Sequence, residues 1–143
     1  NYIKIYMARF PELGQFMEDC KAQAREKGYV LTLMGRKCMT GGIHEKNAAV
    51  RNFAERQAIN APLQGTAADL IKLVMIKIDH LILNQDWPIK MLLQVHDELI
   101  FEVPVDRAAE FSKLITEEME KVMTLSIPLR AESGYARNWA EAH

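Results

Sequence analysis

The chain has 143 residues, 49% of them hydrophobic, and a formal net charge of -1 at pH 7. Its length allows one hydrophobic core of ordinary domain size, and its apolar runs fall far short of the ~20 residues needed to cross a bilayer. Two cysteines in a chain of this size exclude a disulfide framework. No charged-then-apolar leader opens the sequence, so we expect a cytoplasmic protein without a membrane partner.

The small net charge conceals an uneven distribution of charged residues. Residues 21–56 hold eight Lys or Arg and three acids, whereas residues 97–120 hold eight acids and two basic residues. A basic segment can neutralise nucleic-acid phosphates, and an acidic segment can hold cations. Ordinary solvated helix faces produce the same counts, so charge alone leaves both interpretations open.

A helix followed by a strand is predicted near the start of the chain. From Phe10 to Cys20 apolar residues recur every three or four positions, and the pattern ends at Gly28, which predicts an amphipathic helix. The β-rich run Tyr29–Leu33 predicts a short strand.

The segment after this strand is predicted to be an irregular basic loop and a second helix. The loop, MGRKCMTGG, contains three glycines and exposes Arg36 and Lys37. The helix is expected over residues 45–59. It should end before Pro62, because proline disfavours helical geometry in the residue preceding it.

The second half predicts two more helices and a last strand around a hairpin. Thr66 with an acid three residues later resembles a capping box, and apolar residues nearly encircle the helix that should follow it to about Leu83. Residues 106–123 predict another amphipathic helix, and residues 128–135 predict a strand. The resulting order of elements predicts an α+β fold, a sheet covered by helices.

The hairpin is predicted from two short apolar runs that flank the triplet His96-Asp97-Glu98. A carboxylate at the end of such a strand pair has rigid support and access to solvent, as a site for a hard cation requires. An ordinary polar turn would also explain the triplet, because Asp is common in turns. Chemistry is favoured because the turn lacks the Asn-Gly or Asp-Gly pair that makes hairpins easy. Neighbouring strand residues point to opposite faces, so Asp97 and Glu98 should not both be ligands unless the turn twists them together, and Asp97 is the expected ligand.

A second set of polar residues precedes the buried helix. Arg56 and Asn60 are four residues apart on one helix face, and Gln64 follows just beyond the proline. Arg suits phosphates, whereas Asn and Gln offer the donor and acceptor that contact base edges or sugars. A structural explanation also stays open: Arg56 could pair with Glu55 or Asn52, while Asn60 caps a helix and Gln64 lies in a loop.

Taken together, these motifs closely resemble a known family. The segments ERQAINAPLQGTAADLIK and LLQVHDELIFEVP resemble the polymerase region of the family A DNA polymerases, the bacterial DNA polymerase I group. GYVLTLMGRK and GYARNWAEAH are similar to the strand-and-basic-loop and the C-terminus of that family. The resemblance implies a fingers and palm fragment, with residues 1–50 the end of the fingers and residues 51–143 the end of the palm, an antiparallel sheet backed by helices.

The resemblance implies a role for each candidate residue. Asp97 would be one of two aspartates that bind the catalytic Mg²⁺ pair, Glu98 an adjacent acid with a smaller catalytic role, and His96 a contact to the primer terminus. Primer-template DNA would be bound by further polar and basic residues, namely Arg36, Lys37, Arg56, Asn60 and Gln64. The implied reaction is attack of a primer 3′-hydroxyl on the α-phosphate of a deoxynucleoside triphosphate.

The same resemblance implies that part of the machinery lies elsewhere. The second metal-binding aspartate and the nucleotide-binding fingers helix should lie upstream of Asn1, so that upstream part is an expected partner and the isolated chain is expected to be inactive. The loop sequence CMTGGIHEKN departs from the family pattern. Two alternatives stay open: a non-catalytic nucleic-acid-binding module that keeps the palm fold, and a Mg²⁺-dependent nuclease, which needs more carboxylates near Asp97.

Overall fold

The computed structural model describes residues 2–142 as two compact units, the first ending at Ala67 and the second beginning at Ala68. Each unit contains one two-stranded antiparallel sheet together with helices. The predicted α+β class is therefore confirmed. No helix within the described range is long and apolar enough to span a membrane.

The first unit begins with two helices and a small hairpin. Helix α2 begins at Pro11, whose fixed φ suits the first turn of a helix. It ends at Gly28, which has a φ of 76° and donates its backbone N–H to the Ala24 carbonyl at 2.9 Å. The amphipathic helix expected here is confirmed. The elements are α1 (Tyr2–Arg9), α2 (Pro11–Lys27), β1 (Tyr29–Leu31), β2 (Lys37–Met39) and the first part of α3 (Ala48–Asn84).

Strand β2 lies in the segment that was expected to be an irregular loop, so that expectation was wrong. Its three residues pair antiparallel with β1, with Cys38 opposite Val30. Cys38 is half-buried, whereas its neighbours Lys37 and Met39 are exposed. Three residues are too few for such an alternation to predict a strand from the sequence alone. The core of the first unit is formed by Ala24, Val30, Ile43, Ala54 and Ala58, and Cys38 of β2 packs against it.

Helix α3 is continuous over 37 residues, where two helices separated by a break at Pro62 were predicted. That prediction was wrong, and so was the capping box, because Thr66 lies inside the helix. An internal proline removes a backbone donor and costs about 3 kcal/mol. The helix continues because Ala54 and Ala58 are anchored in the core of the first unit. In addition, the Thr66 hydroxyl donates to the Pro62 carbonyl at 2.6 Å.

The second unit backs a longer hairpin with two helices. Its elements are the remainder of α3, β3 (Lys90–Val95), β4 (Glu98–Glu102), a 3-10 turn (Val105–Arg107), α4 (Ala108–Glu120) and α5 (Trp139–Ala142). The predicted hairpin and the helix after it are confirmed. The buried residues of this core are Val74, Ile78, Ile89, Phe111 and Ile115, with Met91, Leu99 and Phe101 of the hairpin packed against them.

The α3 segment of the second unit is buried on one side only. Val74 and Ile78 are buried, whereas Ile76 and Leu83 are 54% and 72% exposed. The prediction that this helix is buried all round was therefore wrong. Its apolar residues outnumber the positions that the hairpin and α4 can cover.

The last strand, predicted over residues 128–135, does not form within the described residues. This segment is held on α4 by side-chain hydrogen bonds. Ser133 Oγ lies 2.7 Å from Ser112 Oγ, and the Ala131 N–H donates to Glu120 Oε1 at 3.2 Å. Because this segment lies against α4, it does not pair with a strand in the described part of the chain.

Candidate functional site

The hairpin of the second unit ends in a two-residue turn. Val95 pairs with Glu98, so His96 and Asp97 form the loop. The register shifts by one between Met91 and Leu93, which leaves an extra residue on β3, a β-bulge. Such bulges bend a strand and redirect its side chains, and they are common beside active sites.

The turn places His96 in a left-handed backbone conformation, with a φ of 53°. Glycine is the usual residue where a two-residue hairpin needs positive φ at its first central position. A residue with a Cβ is destabilised by about 1 kcal/mol in this left-handed conformation, and such backbone strain is found most often at functional sites. The side-chain amide of Gln94 donates to the His96 carbonyl at 2.8 Å. A side chain of β3 therefore holds the turn in this conformation.

Two of the three triplet side chains are presented to solvent. His96 and Asp97 are exposed, whereas Glu98, at the start of β4, is half-buried. Below them, Leu99 and Phe101 of the same hairpin contact the apolar core of the unit. The arrangement gives Asp97 both the rigid support and the solvent access expected from the sequence.

The donor set fits part of a magnesium site. Among residues 2–142, no three His, Cys, Asp or Glu side chains form a cluster that could hold a metal ion. Mg²⁺ is commonly bound through one or two carboxylates plus substrate phosphates, with water completing the shell. Asp97, exposed in the turn, can supply one such carboxylate. The described residues give no support to the nuclease alternative, which needs further carboxylates near Asp97.

In the first unit, Arg56, Asn60 and Gln64 are exposed on α3. The structural explanation considered for them does not hold. Glu55 accepts a hydrogen bond from Arg25 at 2.7 Å, while the Arg56 guanidinium lies over the Phe53 ring, 5.9 Å from its centroid. Asn60 and Gln64 lie within the continuous helix, not at a cap or in a loop. All three polar side chains remain available to a ligand.

Arg36 and Lys37 lie where the β1–β2 turn enters β2. Arg36 Nη2 donates to the Gly65 carbonyl at 2.9 Å, and the Arg36 backbone N–H donates to Thr32 Oγ1 at 3.1 Å. Lys37 is exposed, and its Nζ lies 4.7 Å from the centroid of the Tyr29 ring, a cation–π contact. Arg36 therefore has a contact inside the unit, whereas the Lys37 ammonium is presented on the sheet surface.

Gly65 and Thr66 join this turn to α3, a role that was missed in the sequence. A Cβ at Gly65 would lie 2.6 Å from Thr32 Cγ2 and 3.2 Å from Cys38 Sγ. Thr66 Oγ1 accepts a hydrogen bond from the Leu33 N–H at 2.9 Å. Glycine inside a helix costs about 1 kcal/mol relative to alanine, so its presence was the available signal of a close contact.

The comparison with known proteins identifies the family. The profile of DNA polymerase family A matches residues 1–141 of the chain. The chain belongs to DNA polymerase family A. The resemblance seen in the sequence is confirmed.

Relatives in this family are similar over nearly the whole chain. DNA polymerase I of Streptococcus pneumoniae serotype 4 is 43% identical over 141 residues, which cover 99% of this chain and 16% of that protein. DNA polymerase I of Pseudomonas aeruginosa is 45% identical over 142 residues, again 99% of this chain and 16% of that protein. The chain thus spans a small part of the length of the curated relatives it matches.

A solved polymerase domain shares the fold of this chain. The POL domain of Pol1 from M. smegmatis, in complex with DNA primer-template and dNTP, superposes with a TM-score of 0.91 at 40% sequence identity. The match covers 98% of this chain and 25% of that chain. The fold is therefore that of part of a polymerase domain.

Proposed function

We propose that this chain is part of a DNA-directed DNA polymerase and that the tip of the β3–β4 hairpin contributes to its catalytic centre. The observation that carries the proposal is the turn itself: Asp97 is exposed beside a left-handed His96, on strands anchored in an apolar core. Membership of family A and the likeness to a polymerase domain bound to primer-template and dNTP support it.

The proposed reaction is attack of a primer 3′-hydroxyl on the α-phosphate of an incoming deoxynucleoside triphosphate. Asp97 would hold Mg²⁺, with Glu98 beside it in a secondary role. When bound, Mg²⁺ supplies activation of the hydroxyl and stabilisation of the leaving pyrophosphate. The chain itself holds the backbone that carries Asp97, because the core anchors the strands and the Gln94 side chain donates a hydrogen bond to the backbone of the turn.

The proposed DNA-binding residues lie in both units. In the first unit, Lys37 and Arg56 offer positive charge for phosphates, while Asn60 and Gln64 offer donors and acceptors for sugars or base edges. Arg36 would contact the backbone while it is held by the Gly65 carbonyl. In the second unit, His96 would contact the primer terminus.

The subdomain boundaries and the missing catalytic residues are proposed from membership of the family. Residues 1–50 would belong to the fingers and residues 51–143 to the palm. The second metal-binding aspartate and the nucleotide-binding helix would come from the upstream part of the polymerase. The curated relatives named above are bacterial proteins, and we place this enzyme in the bacterial cytoplasm.

The test uses the complete polymerase that carries this chain. In Asp97→Ala, Mg²⁺-dependent primer extension should fall by about 10³-fold or more, the loss expected for a group that acts in the transition state. Primer-template binding, measured separately without nucleotide, should change less than about threefold because one exposed side chain is removed.

The matched control is Asp106→Ala, an exposed aspartate of the same unit. It should leave extension unchanged. Wild-type extension in Asp97→Ala would return Asp97 to an ordinary turn residue and would favour the non-catalytic nucleic-acid-binding module.

A further inference from the structure

Two hydrogen bonds join the β1–β2 turn to one turn of α3, and the absence of a side chain at Gly65 lets the two elements approach closely. The Leu33 N–H donates to Thr66 Oγ1, and Arg36 Nη2 donates to the Gly65 carbonyl, both at 2.9 Å. Any Cβ at Gly65 would meet Thr32 Cγ2 at 2.6 Å. The turn can lie this close to the helix only because residue 65 is glycine.

The Thr66 hydroxyl both donates and accepts a hydrogen bond. It donates its proton to the Pro62 carbonyl at 2.6 Å and accepts the Leu33 N–H through a lone pair. Since the proton is committed to the helix, the hydroxyl orientation is fixed and its lone pairs face the turn. Valine at this position would match the shape of threonine but could form neither bond.

Apolar burial does not hold the turn itself. Its two apolar side chains, Leu33 and Met34, are exposed, whereas Thr32 is buried against the helix. The strands below the turn are anchored through Val30 and Cys38 in the core of the first unit. The turn itself is joined to α3 by the polar contacts of Gly65 and Thr66.

This contact lies between two candidate groups for DNA binding. Gln64 directly precedes Gly65 on α3, and Lys37 directly follows Arg36 on β2. Lys37 is further oriented by the Tyr29 ring. Any shift of the turn along the helix would change where the Lys37 ammonium lies relative to the polar side chains of α3.

We propose that Gly65 and Thr66 are positioning residues for primer-template binding, which set the β1–β2 turn on α3 so that Lys37 meets a DNA phosphate while Gln64 and its neighbours contact the duplex. This inference rests on the proposed function. It means that Gly65 and Thr66, although uncharged, contribute to the DNA affinity through the position that they give to Lys37.

The experiment measures primer-template affinity of the complete polymerase over a series of salt concentrations. Thr66→Val should weaken binding about three- to tenfold and reduce the slope of log affinity against log salt by about 0.9, the value for one lost phosphate contact. Lys37→Ala should give the same two changes. Thr66→Ser, which keeps the hydroxyl, should bind like wild type.

The double variant Thr66→Val/Lys37→Ala separates positioning from general destabilisation. If Thr66 acts through Lys37, the double variant should bind no worse than Lys37→Ala alone, because residues that act as a unit are not additive. Additive losses would overturn the inference. Thermal unfolding of each variant checks the fold, and Thr66→Ala replaces Thr66→Val in the cycle if the valine variant does not fold.

Failure of the inference can be distinguished from failure of the proposed function. A change in affinity and slope with Lys37→Ala but not with Thr66→Val overturns the positioning role and leaves the DNA contact in place. No change with Lys37→Ala overturns the DNA contact at Lys37 and the positioning role together. The catalytic proposal is tested independently by extension with Asp97→Ala.

Discussion

Both hairpins of this chain pack on an apolar core, and the β1–β2 turn is in addition joined to a helix by hydrogen bonds. The β3–β4 hairpin packs Leu99 and Phe101 on an apolar core formed by α3 and α4. The turn of the β1–β2 hairpin is held by hydrogen bonds to Gly65 and Thr66. A carboxylate that holds a metal has to be fixed within about 0.5 Å, which packed apolar residues can provide. A turn that contacts a phosphate backbone has a less exacting task, and a few directed polar contacts suffice for it.

The largest loss of stability should come from the apolar support of the β3–β4 hairpin. Phe111 is fully buried, with its ring centroid 5.3 Å from that of Trp87. Phe111→Ala should lower the free energy of unfolding by about 3–5 kcal/mol, because it removes apolar contacts and leaves a cavity. Denaturant unfolding followed by tryptophan fluorescence measures the change. Val105→Ala, at a residue that is 90% exposed, should change it by less than about 0.5 kcal/mol.

A smaller loss is expected at the polar support of the β1–β2 hairpin. Gly65→Ala should destabilise the chain by about 1–3 kcal/mol, because the new methyl group overlaps Thr32. Gly14→Ala is the matched control inside α2, where a Cβ meets nothing within 4 Å. It should stabilise the chain by about 0.5–1 kcal/mol. Equal effects of the two substitutions on the unfolding midpoint would mean that close packing at Gly65 contributes nothing.

The strained turn predicts a gain in stability that opposes function. His96→Gly should stabilise the chain by about 0.5–1 kcal/mol, because glycine adopts a φ of 53° without steric cost. The same variant of the complete polymerase should extend primers more slowly. His80→Gly, at an exposed position of α3, should instead destabilise by a few tenths of a kcal/mol. Destabilisation by His96→Gly in thermal unfolding would contradict strain at the turn.

The smallest effect is expected at an exposed ion pair outside both hairpins. The Arg107 guanidinium donates to both carboxylate oxygens of Glu110, at 2.8 and 2.9 Å, and lowers the pKa of Glu110 below its ordinary value of 4.5. A lowered pKa in the folded state means that the stabilisation is present above about pH 4.5 and is lost as the pH falls through the folded-state pKa.

Glu110→Gln should therefore lower the unfolding midpoint slightly at neutral pH, and its difference from wild type should shrink as the solution is acidified. The difference should also shrink at high salt, because exposed charges are screened. A difference that grows towards low pH would show that Arg107 does not favour the charged form of Glu110.

The β3–β4 hairpin was predictable because each of its strands is a compact apolar run and the charged triplet interrupts them. The triplet marked the turn, and the position of Asp97 in the two-residue loop agrees with that prediction. The strain at His96 was not predictable, because a φ value depends on the register and twist of the completed hairpin. The spacing of Arg56 and Asn60 correctly predicted that both lie on one helix, although that helix was wrongly ended. Their role in DNA binding, like that of Gln64, stays a prediction.

The features that the sequence did not reveal are those decided by tertiary contact. Pro62 signalled a break, but the helix is continuous, with Ala58 buried in one core before it and Val74 buried in another after it. The segment around Ser133 was predicted to be a strand, but it has no β-branched residue and contacts α4 through hydroxyl groups. Gly65 stands plainly in the sequence, but the β1–β2 turn that contacts it lies some thirty residues earlier. Nothing in the sequence linked the two.

The most direct measurement is single-turnover primer extension by the complete polymerase over a range of Mg²⁺ concentrations. It compares wild type with Asp97→Asn, which removes the charge, and Asp97→Glu, which moves the carboxylate by one methylene. We predict a loss of about 10³-fold or more for Asp97→Asn at every Mg²⁺ concentration. Asp97→Glu should retain partial activity with half-saturation at higher Mg²⁺. If Asp97→Asn extends primers within about twofold of wild type with the same Mg²⁺ dependence, the hairpin does not hold a metal ligand at Asp97.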